Sequence, residues 1–249
     1  MSMALNELSR EIYQRQILLP ELGEDGQEKL AASSVLVCGC GGLGSPALLY
    51  LAAMGIGRLG LLDGDVVSYS NLNRQVLYGR SDVGRRKAEA AAERIRFLNP
   101  DIKLDVHGEY LTEDNASSLL FGYDLALDCL DNFPSRFILN DACLSLEIPF
   151  IHGGVNRLRG QTMTVIPGRT ACLRCLFPGG IEDAPDTDDK AIIGATAGVI
   201  ASLQVTEAFK YLTGQPVNRG LLMYDGKEPG ARLLGLEPDP NCICQAKSL

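Results

Sequence analysis

One segment of this chain has the spacing of a phosphate-binding turn. Gly39-Cys-Gly41-Gly42-Leu-Gly44 fits G-x-G-x-x-G, directly after the apolar run Val35-Leu-Val-Cys and directly before a helical pattern. Glycines there permit a tight turn and close backbone approach, and the helix N-terminus that follows offers N–H groups and a positive dipole to an anion. Asp63 stands 19 residues past Gly44 at the end of the next strand pattern, where a carboxylate can accept from ribose hydroxyls. These features predict a bound nucleotide without choosing between NAD and ATP.

Polar residues further along bear on that choice. Ser70-Asn71-Leu-Asn-Arg74-Gln75 follows the second strand pattern, and Arg85-Arg86-Lys87 falls in the expected first turn of the next helix. Positive charge there opposes the helix dipole by about 0.3–1 kcal/mol per charge. A nearby triphosphate is one reason for such placement, and a solvated basic patch is the other. A carboxylate attacking the α-phosphate of ATP meets like-charge repulsion, which positioning, cations and magnesium relieve. Arg74 and Lys87 are candidates for phosphate contact, and Asn71 for fixing phosphates by hydrogen bonds. Asp131, in Asp128-Cys-Leu-Asp131-Asn132, is the candidate for holding Mg2+. Read alone, Asp131-Asn132 is more often a helix cap than a metal ligand.

The elements that must position these residues alternate. Strands are expected over Val35–Gly39, Arg58–Asp63, Ile102–Val106, Asp124–Cys129 and Pro149–Gly153, with helices over Leu43–Met54, Gly84–Leu98, from about Thr112, and over Phe133–Glu147. That order predicts an α/β fold with a Rossmann-like, mostly parallel sheet covered by helices on both faces. Past residue 155 the pattern turns to antiparallel strands (Arg159–Ile166, Gly220–Tyr224, Ala231–Leu236), an acidic loop over Gly179–Lys190, a long helix over Ala191–Leu212 and a cysteine-bearing tail. One domain over 1–249 is expected, with 1–154 as its nucleotide-binding half.

Taken together, Tyr13-Gln-Arg15-Gln16, the Gly39–Gly44 loop, Asp63-Gly-Asp65, Ser70-Asn-Leu-Asn-Arg-Gln75, Lys87, Asp128-x-x-Asp131-Asn132 and Cys172-x-x-Cys175 occur in the order seen in MoeB, ThiF and HesA proteins. The chain resembles this family, bacterial relatives of ubiquitin-activating enzymes, over nearly its whole length. The resemblance implies adenylation, with release of pyrophosphate, of the C-terminal glycine of a ubiquitin-like sulfur carrier (MoaD- or ThiS-like) that ends in Gly-Gly. Sulfur would then pass to molybdopterin or thiamine synthesis. It also implies that Gly39, Gly41, Gly42, Gly44, Asp63, Asp65, Ser70, Asn71, Arg74, Gln75, Lys87, Asp131 and Asn132 surround ATP. Arg15 resembles an arginine that reaches into a partner subunit's site, which implies a homodimer with composite sites. By itself Arg15 is also consistent with a solvated residue on an N-terminal helix.

Two departures from the family pattern limit the transfer. The family's zinc site usually pairs one C-x-x-C with another near the C-terminus, whereas Cys172-x-x-Cys175 here meets Cys242-Ile-Cys244, one residue short. Four thiolates still suit a closed, structural Zn2+ site, and four free thiols are the alternative. Some relatives also carry a cysteine before the long helix that links covalently to the carrier, but none occurs here from Phe177 to Gln204. The activity is therefore expected to stop at the acyl-adenylate, as in the MoeB-like branch. No sulfurtransferase segment is recognised, so a separate sulfur donor is expected.

The remaining composition narrows the field. A net charge of −8 argues against general nucleic-acid binding. No signal peptide and no membrane span is recognised, and the eight cysteines do not form a secreted framework, so a cytoplasmic protein is expected. Cys38, Cys40, Cys129 and Cys143 read as small buried hydrophobes, and His107 and His152 as packed histidines. An NAD-dependent oxidoreductase is the competing reading, but it leaves Asn71, Arg74, Lys87 and Asp131 without a task. A nucleotide-binding scaffold without catalysis leaves the same set unexplained.

Overall fold

After three consecutive N-terminal helices, strands and helices alternate from Ser34 to Asn156, as the periodicities predict. The structure, a computed structural model, describes residues 5–182, 184, 191–228 and 230–245. In chain order the principal elements are α1 (Glu7–Ile12), α2 (Gln14–Ile17), α3 (Gly23–Ala32), β1 (Ser34–Cys38), α4 (Gly44–Met54), β2 (Arg58–Leu62), α5 (Lys87–Leu98), β3 (Lys103–His107), α6 (Glu113–Leu120), β4 (Leu125–Asp128), α7 (Phe133–Ser145), β5 (Phe150–Asn156), β6 (Arg159–Val165), α8 (Leu173–Leu176), α9 (Gly194–Thr213), β7 (Gly220–Asp225) and β8 (Gly230–Gly235). Among the described residues no helix is long and apolar enough to cross a membrane.

Among the described residues, eight strands join one sheet in the order β3-β2-β1-β4-β5-β6-β7-β8. β3, β2, β1, β4 and β5 are parallel, and β6, β7 and β8 add antiparallel. The chain winds outward from β1 in both directions, so the crevice beyond the carboxyl ends of β1 and β4 is the topological switch point. β1 is buried along its whole length. Its alternate residues feed two cores: Val35 and Val37 join Leu48, Leu51, Ile95 and Ile200 on one face, while Leu36 and Cys38 join Leu120, Phe137 and Phe150 on the other. That two-sided burial explains the near-continuous apolar run.

Three elements depart from their expected bounds by three residues, and others by one or two. α5 begins at Lys87 rather than Gly84, because Val66 and Arg86 form a bridge that keeps 84–86 extended or turning. α9 begins at Gly194 rather than Ala191, since Arg157 pairs with Ile192 and its N–H donates to the Ala191 carbonyl at 2.7 Å. β5 runs on to Asn156, where it turns back as a hairpin into β6. Most of the acidic loop expected over 179–190 lies outside the described residues.

The turn after β1 depends on glycine at two places. Gly39 has φ +97°, and a Cβ there would come within 2.6 Å of the Cys129 carbonyl oxygen. A Cβ at Gly44 would overlap the Gly39 carbonyl. Gly41 is open by comparison, its nearest neighbour being Gln75 Nε2 at 3.6 Å from a built Cβ. Gly44→Ala is therefore expected to lower the urea unfolding free energy by about 1–3 kcal/mol. Gly41→Ala should leave the unfolding midpoint close to wild type.

Candidate functional site

The carboxyl ends of β1, β2 and β4 converge on the glycine turn. The Gly39 N–H donates to the Leu62 carbonyl at 2.8 Å, and the Cys129 N–H donates to the Cys38 carbonyl at 2.9 Å. Past the turn, α4 starts at Gly44 with Leu43 as a cap that supplies no side-chain acceptor, so its first-turn N–H groups lack the usual side-chain partner. Pro46, in the same turn, has no N–H to satisfy. The loop thus presents backbone donors and the positive end of an 11-residue helix.

Asp63 locks this loop to the end of β2. Its Oδ2 accepts from the Cys40 N–H and its Oδ1 from the Asp65 N–H, both at 2.8 Å. Burial raises its pKa, and the nearby Lys87 charge together with those two N–H donors works the other way. The carboxylate expected to meet a ribose therefore also has a structural task. The hydroxyl of buried Tyr78 adds a second tie, 2.8 Å from the Cys40 carbonyl and 3.2 Å from the Lys87 carbonyl. Cys40 is fully buried and burial pushes its thiol pKa well up, which leaves it a packed thiol and not a nucleophile.

The cations do not all face the loop. Lys87 lies buried with its Nζ 2.8 Å from Asp65 Oδ2, and Tyr110 donates its hydroxyl to Asp65 Oδ1 at 2.6 Å. Burial disfavours the charged form of Asp65, but Lys87 and Tyr110 outweigh it and hold the carboxyl below its usual range. Arg85 and Arg86 correct the expectation of a basic first turn aimed at phosphates. Arg85 pairs with Asp82 at 2.9 Å and Glu93 at 2.6 Å, and Arg86 donates to the Gly64 carbonyl at 2.9 Å. Neither lies in the helix.

Arg74 does reach the loop. A Cβ on Gly42 would lie 3.6 Å from the Arg74 side-chain carbons and 3.7 Å from Ala197, so the arginine stem and the start of α9 flank the turn. Its Nη1 donates to the Ser70 carbonyl at 2.9 Å and to Asn73 Oδ1 at 3.2 Å. The Asn71 side chain accepts from the Ser68 N–H at 3.0 Å and so caps its own short 3-10 turn, while Ser70 is exposed. Gln75 is buried beside Gly41, and its Oε1 has no hydrogen-bond partner.

Across the switch point, Asp131 is exposed in the loop after β4, and its Oδ1 accepts from Asn132 Nδ2 at 3.2 Å. Asn132 is the cap of α7, accepting from the Ser135 N–H at 2.9 Å. Asp131 thus stays open to solvent while Asn132 serves the helix. Sequence reasoning gave no task to the buried group behind this loop. Asp128 and His152 are fully buried, with Nδ1 2.7 Å from Asp128 Oδ2, and Arg136 lies beside them. Burial lowers the His152 pKa despite the carboxylate, so the ring is neutral, donating from Nδ1 and accepting from Gln161 at 3.2 Å on Nε2. The signal available was an aspartate closing the apolar run Leu-Ala-Leu and an arginine on the Phe133, Phe137, Asn140 face of a helix. His107 ends β3, with its Nε2 buried and unpartnered.

Arg15 lies far from all of this. It is exposed on α2, whose neighbouring Gln16 donates to the Met54 carbonyl at the C-terminal end of α4. The glycine loop is at the other end of that helix, about 16 Å away at 1.5 Å per residue. Within one chain Arg15 does not join the site.

Cys172, Cys175, Cys242 and Cys244 come together, with all four sulfurs within 4.8 Å of one another. Cys172 and Cys242 are 3.6 Å apart, and Cys175 and Cys244 3.5 Å. Tetrahedral zinc with bonds of about 2.3 Å needs sulfurs roughly 3.8 Å apart, so the donor set fits a structural zinc. The Asp239 N–H donates to Cys175 Sγ at 3.3 Å, an outer contact typical of a thiolate ligand. The shortened Cys242-Ile-Cys244 pair therefore still brings both sulfurs to the cluster.

Comparison with known proteins adds to this geometry. Residues 13–245 match the ThiF family. The chain is 39% identical over 249 residues to the SAMP-activating enzyme E1 of Haloferax volcanii, covering 98% of this chain and 92% of that one. It is 40% identical over 251 residues to the sulfur carrier protein adenylyltransferase of Thermus thermophilus, covering 96% and 91%. To the adenylyltransferase and sulfurtransferase MOCS3 of Mus musculus it is 42% identical over 236 residues, 93% of this chain but 51% of that protein. Its fold is similar to that of E. coli MccB, with a TM-score of 0.84 and 22% identity over 99% of this chain and 75% of that one. With a match that runs from the N-terminal helices to the last cysteine of the cluster, the chain belongs to the ThiF family.

Proposed function

We propose that this chain is an adenylyltransferase that uses MgATP to activate the C-terminal glycine of a ubiquitin-like sulfur carrier, releasing pyrophosphate. The observation that carries the reading is the convergence of the glycine loop, Arg74, the Lys87–Asp65 pair and the exposed Asp131 on the carboxyl ends of β1, β2 and β4. The names of the relatives, two of them adenylyltransferases, support it. An oxidoreductase would use the loop and Asp63 and leave Arg74, Lys87 and Asp131 idle.

In this reading a carboxylate oxygen of the carrier attacks the α-phosphorus. The bond from that phosphorus to the bridging oxygen breaks, and the electron pair leaves with pyrophosphate. The loop N–H groups and the α4 dipole hold the phosphates, with Gly39, Gly41, Gly42 and Gly44 shaping the loop. Arg74 and Lys87 spread the developing charge, Asn71, Ser70, Gln75 and Asn132 line the pocket, and Asp63 and Asp65 hold its ribose side and Lys87. Magnesium held at Asp131 would neutralise charge on the phosphates. Because Arg15 is placed at the wrong end of α4 for its own site, we assign it to the site of a second copy in a homodimer. The four cysteines hold zinc in a structural role. With no cysteine in 177–204, the chemistry ends at the acyl-adenylate. A separate donor in the cytoplasm then supplies sulfur for molybdopterin or thiamine.

Radiolabelled pyrophosphate should exchange into ATP only when a carrier ending in Gly-Gly is present. No exchange with either a MoaD-like or a ThiS-like carrier would sink the proposal. Asp131→Ala should lower exchange by about 10²–10³-fold with the fold intact by circular dichroism.

A heterodimer of Arg15→Ala and Asp131→Ala chains keeps one intact composite site, so about half of wild-type activity per dimer is expected where each homodimer has almost none. No recovery in the isolated heterodimer would place Arg15 outside the site.

The purified protein should contain close to one zinc per chain by elemental analysis. A strong chelator should lower its melting temperature, and Cys242→Ser should abolish both the metal and that sensitivity. A metal-free protein with an unchanged melt would leave the cysteines as free thiols.

A further inference from the structure

The loop that carries Asp131 is held from behind by a buried polar group. Arg136 donates from Nη2 to the Leu130 carbonyl at 2.6 Å. On the other side of the same residue, the Leu130 N–H donates to Asp128 Oδ1 at 3.1 Å. Asp128 is in turn fixed through Oδ2 by His152 at 2.7 Å. Leu130 is thus clamped on both peptide planes, and its carbonyl plane is the one that carries the Asp131 nitrogen. Downstream, Asn132 is tied into the cap of α7. Asp131 hangs between two fixed points, one set by Arg136 and one by the helix.

Arg136 is unusually placed for a residue that only packs. Its side chain is 8% exposed, its Nε is buried without a hydrogen-bond partner, and the nearest carboxylate oxygen stands 3.9 Å away on Asp128. Phe133 lies under the guanidinium, with 5.2 Å from its centre to the ring. Room on the far side exists because residue 154 is glycine, where a Cβ would stand 3.2 Å from Nη1. A buried ion pair often contributes less to stability than an apolar pair of the same volume. What this one supplies is a rigid donor aimed at a carbonyl, which a planar guanidinium provides and an aliphatic side chain cannot.

We infer that Arg136 is a positioning residue, which with Asp128 and His152 presets the Leu130 backbone so that the Asp131 carboxylate meets Mg2+ bound with ATP. This rests on reading Asp131 as the magnesium ligand. It assigns Arg136 no contact with substrate.

The test is the effect of Mg2+ on ATP affinity, measured by calorimetry without any carrier. Three variants are compared with wild type: Arg136→Met, Arg136→Lys, and the double variant Asp128→Asn/Arg136→Met, which leaves no unpaired buried carboxylate. In Arg136→Met and the double variant, the gain in ATP affinity on adding Mg2+ should shrink by about tenfold, the scale of a lost outer contact to a metal ligand. Their magnesium-free ATP affinity should stay within about twofold of wild type, since the metal-dependent part alone is at stake. Arg136→Lys, which restores a cationic donor, should recover part of the gain. A folded double variant with the wild-type magnesium gain would overturn the inference, as would a wild type that gains nothing from Mg2+. If the variants lose the gain while wild type shows no carrier-dependent exchange, the positioning role stands and the adenylation reading falls.

Discussion

Three strand ends meet backbone to backbone where β1 turns into α4, and that contact sets the distances elsewhere in the crevice. Gly39 lies against the Cys129 carbonyl and donates to Leu62, while Gly44 lies against Gly39. No side chain fits in any of these gaps. The helix axis, the approach of the β4 loop and the end of β2 are consequently fixed relative to one another by main-chain atoms, which vary far less in position than side chains do. Asp63 then extends the same logic outward by binding the Cys40 and Asp65 N–H groups. Phosphate donors and the candidate metal ligand inherit their geometry from this turn.

An acidic chain that handles an anionic nucleotide must place its few cations with care. With 23 basic residues against 31 acidic ones, several arginines are taken up by a carboxylate, as Arg58 is by Asp105, Arg85 by Asp82 and Glu93, and Arg174 by Asp141. Arg74 differs, bonding only to a carbonyl and a side-chain amide oxygen among the described residues. Lys87 is the intermediate case, buried and neutralised by a half-exposed Asp65. Positive charge beside the loop therefore comes from Arg74, which is partly exposed, and from Lys87, whose charge is shared with Asp65.

Much of this was legible in the sequence, for a physical reason in each case. Two-sided burial of β1 writes itself as an unbroken apolar run, and the glycine spacing follows from backbone gaps that exclude a Cβ. Thiol spacing pointed to four cysteines whose sulfurs do come together. What was not legible depends on contacts between distant segments. The run Arg85-Arg86-Lys87 looks uniform in sequence, yet its members turn to Glu93, Gly64 and Asp65, and only the fold assigns those partners. Asp128, Arg136 and His152 come from β4, α7 and β5, and burial of the carboxylate and the imidazole is invisible until the strands pair. The starts of α5 and α9 shifted for the same reason, since each is preceded by a bridge to a remote residue.

The helix α7 joins two features that look separate. Asn132 caps it beside Asp131, Arg136 faces the β4 loop one turn later, and Asn140 and Asp141 hold Leu173 and Arg174 between the cysteines Cys172 and Cys175. Phe133 packs edge-on against Phe177, two residues past Cys175, with ring centres 5.3 Å apart. The β4 loop is therefore one end of a braced strut whose other contacts are buried or bidentate. Ordering entropy for Leu130 to Asn132 is spent when the chain folds rather than when a ligand arrives. Binding energy at this side of the crevice is then free to act on the ligand instead of on the protein.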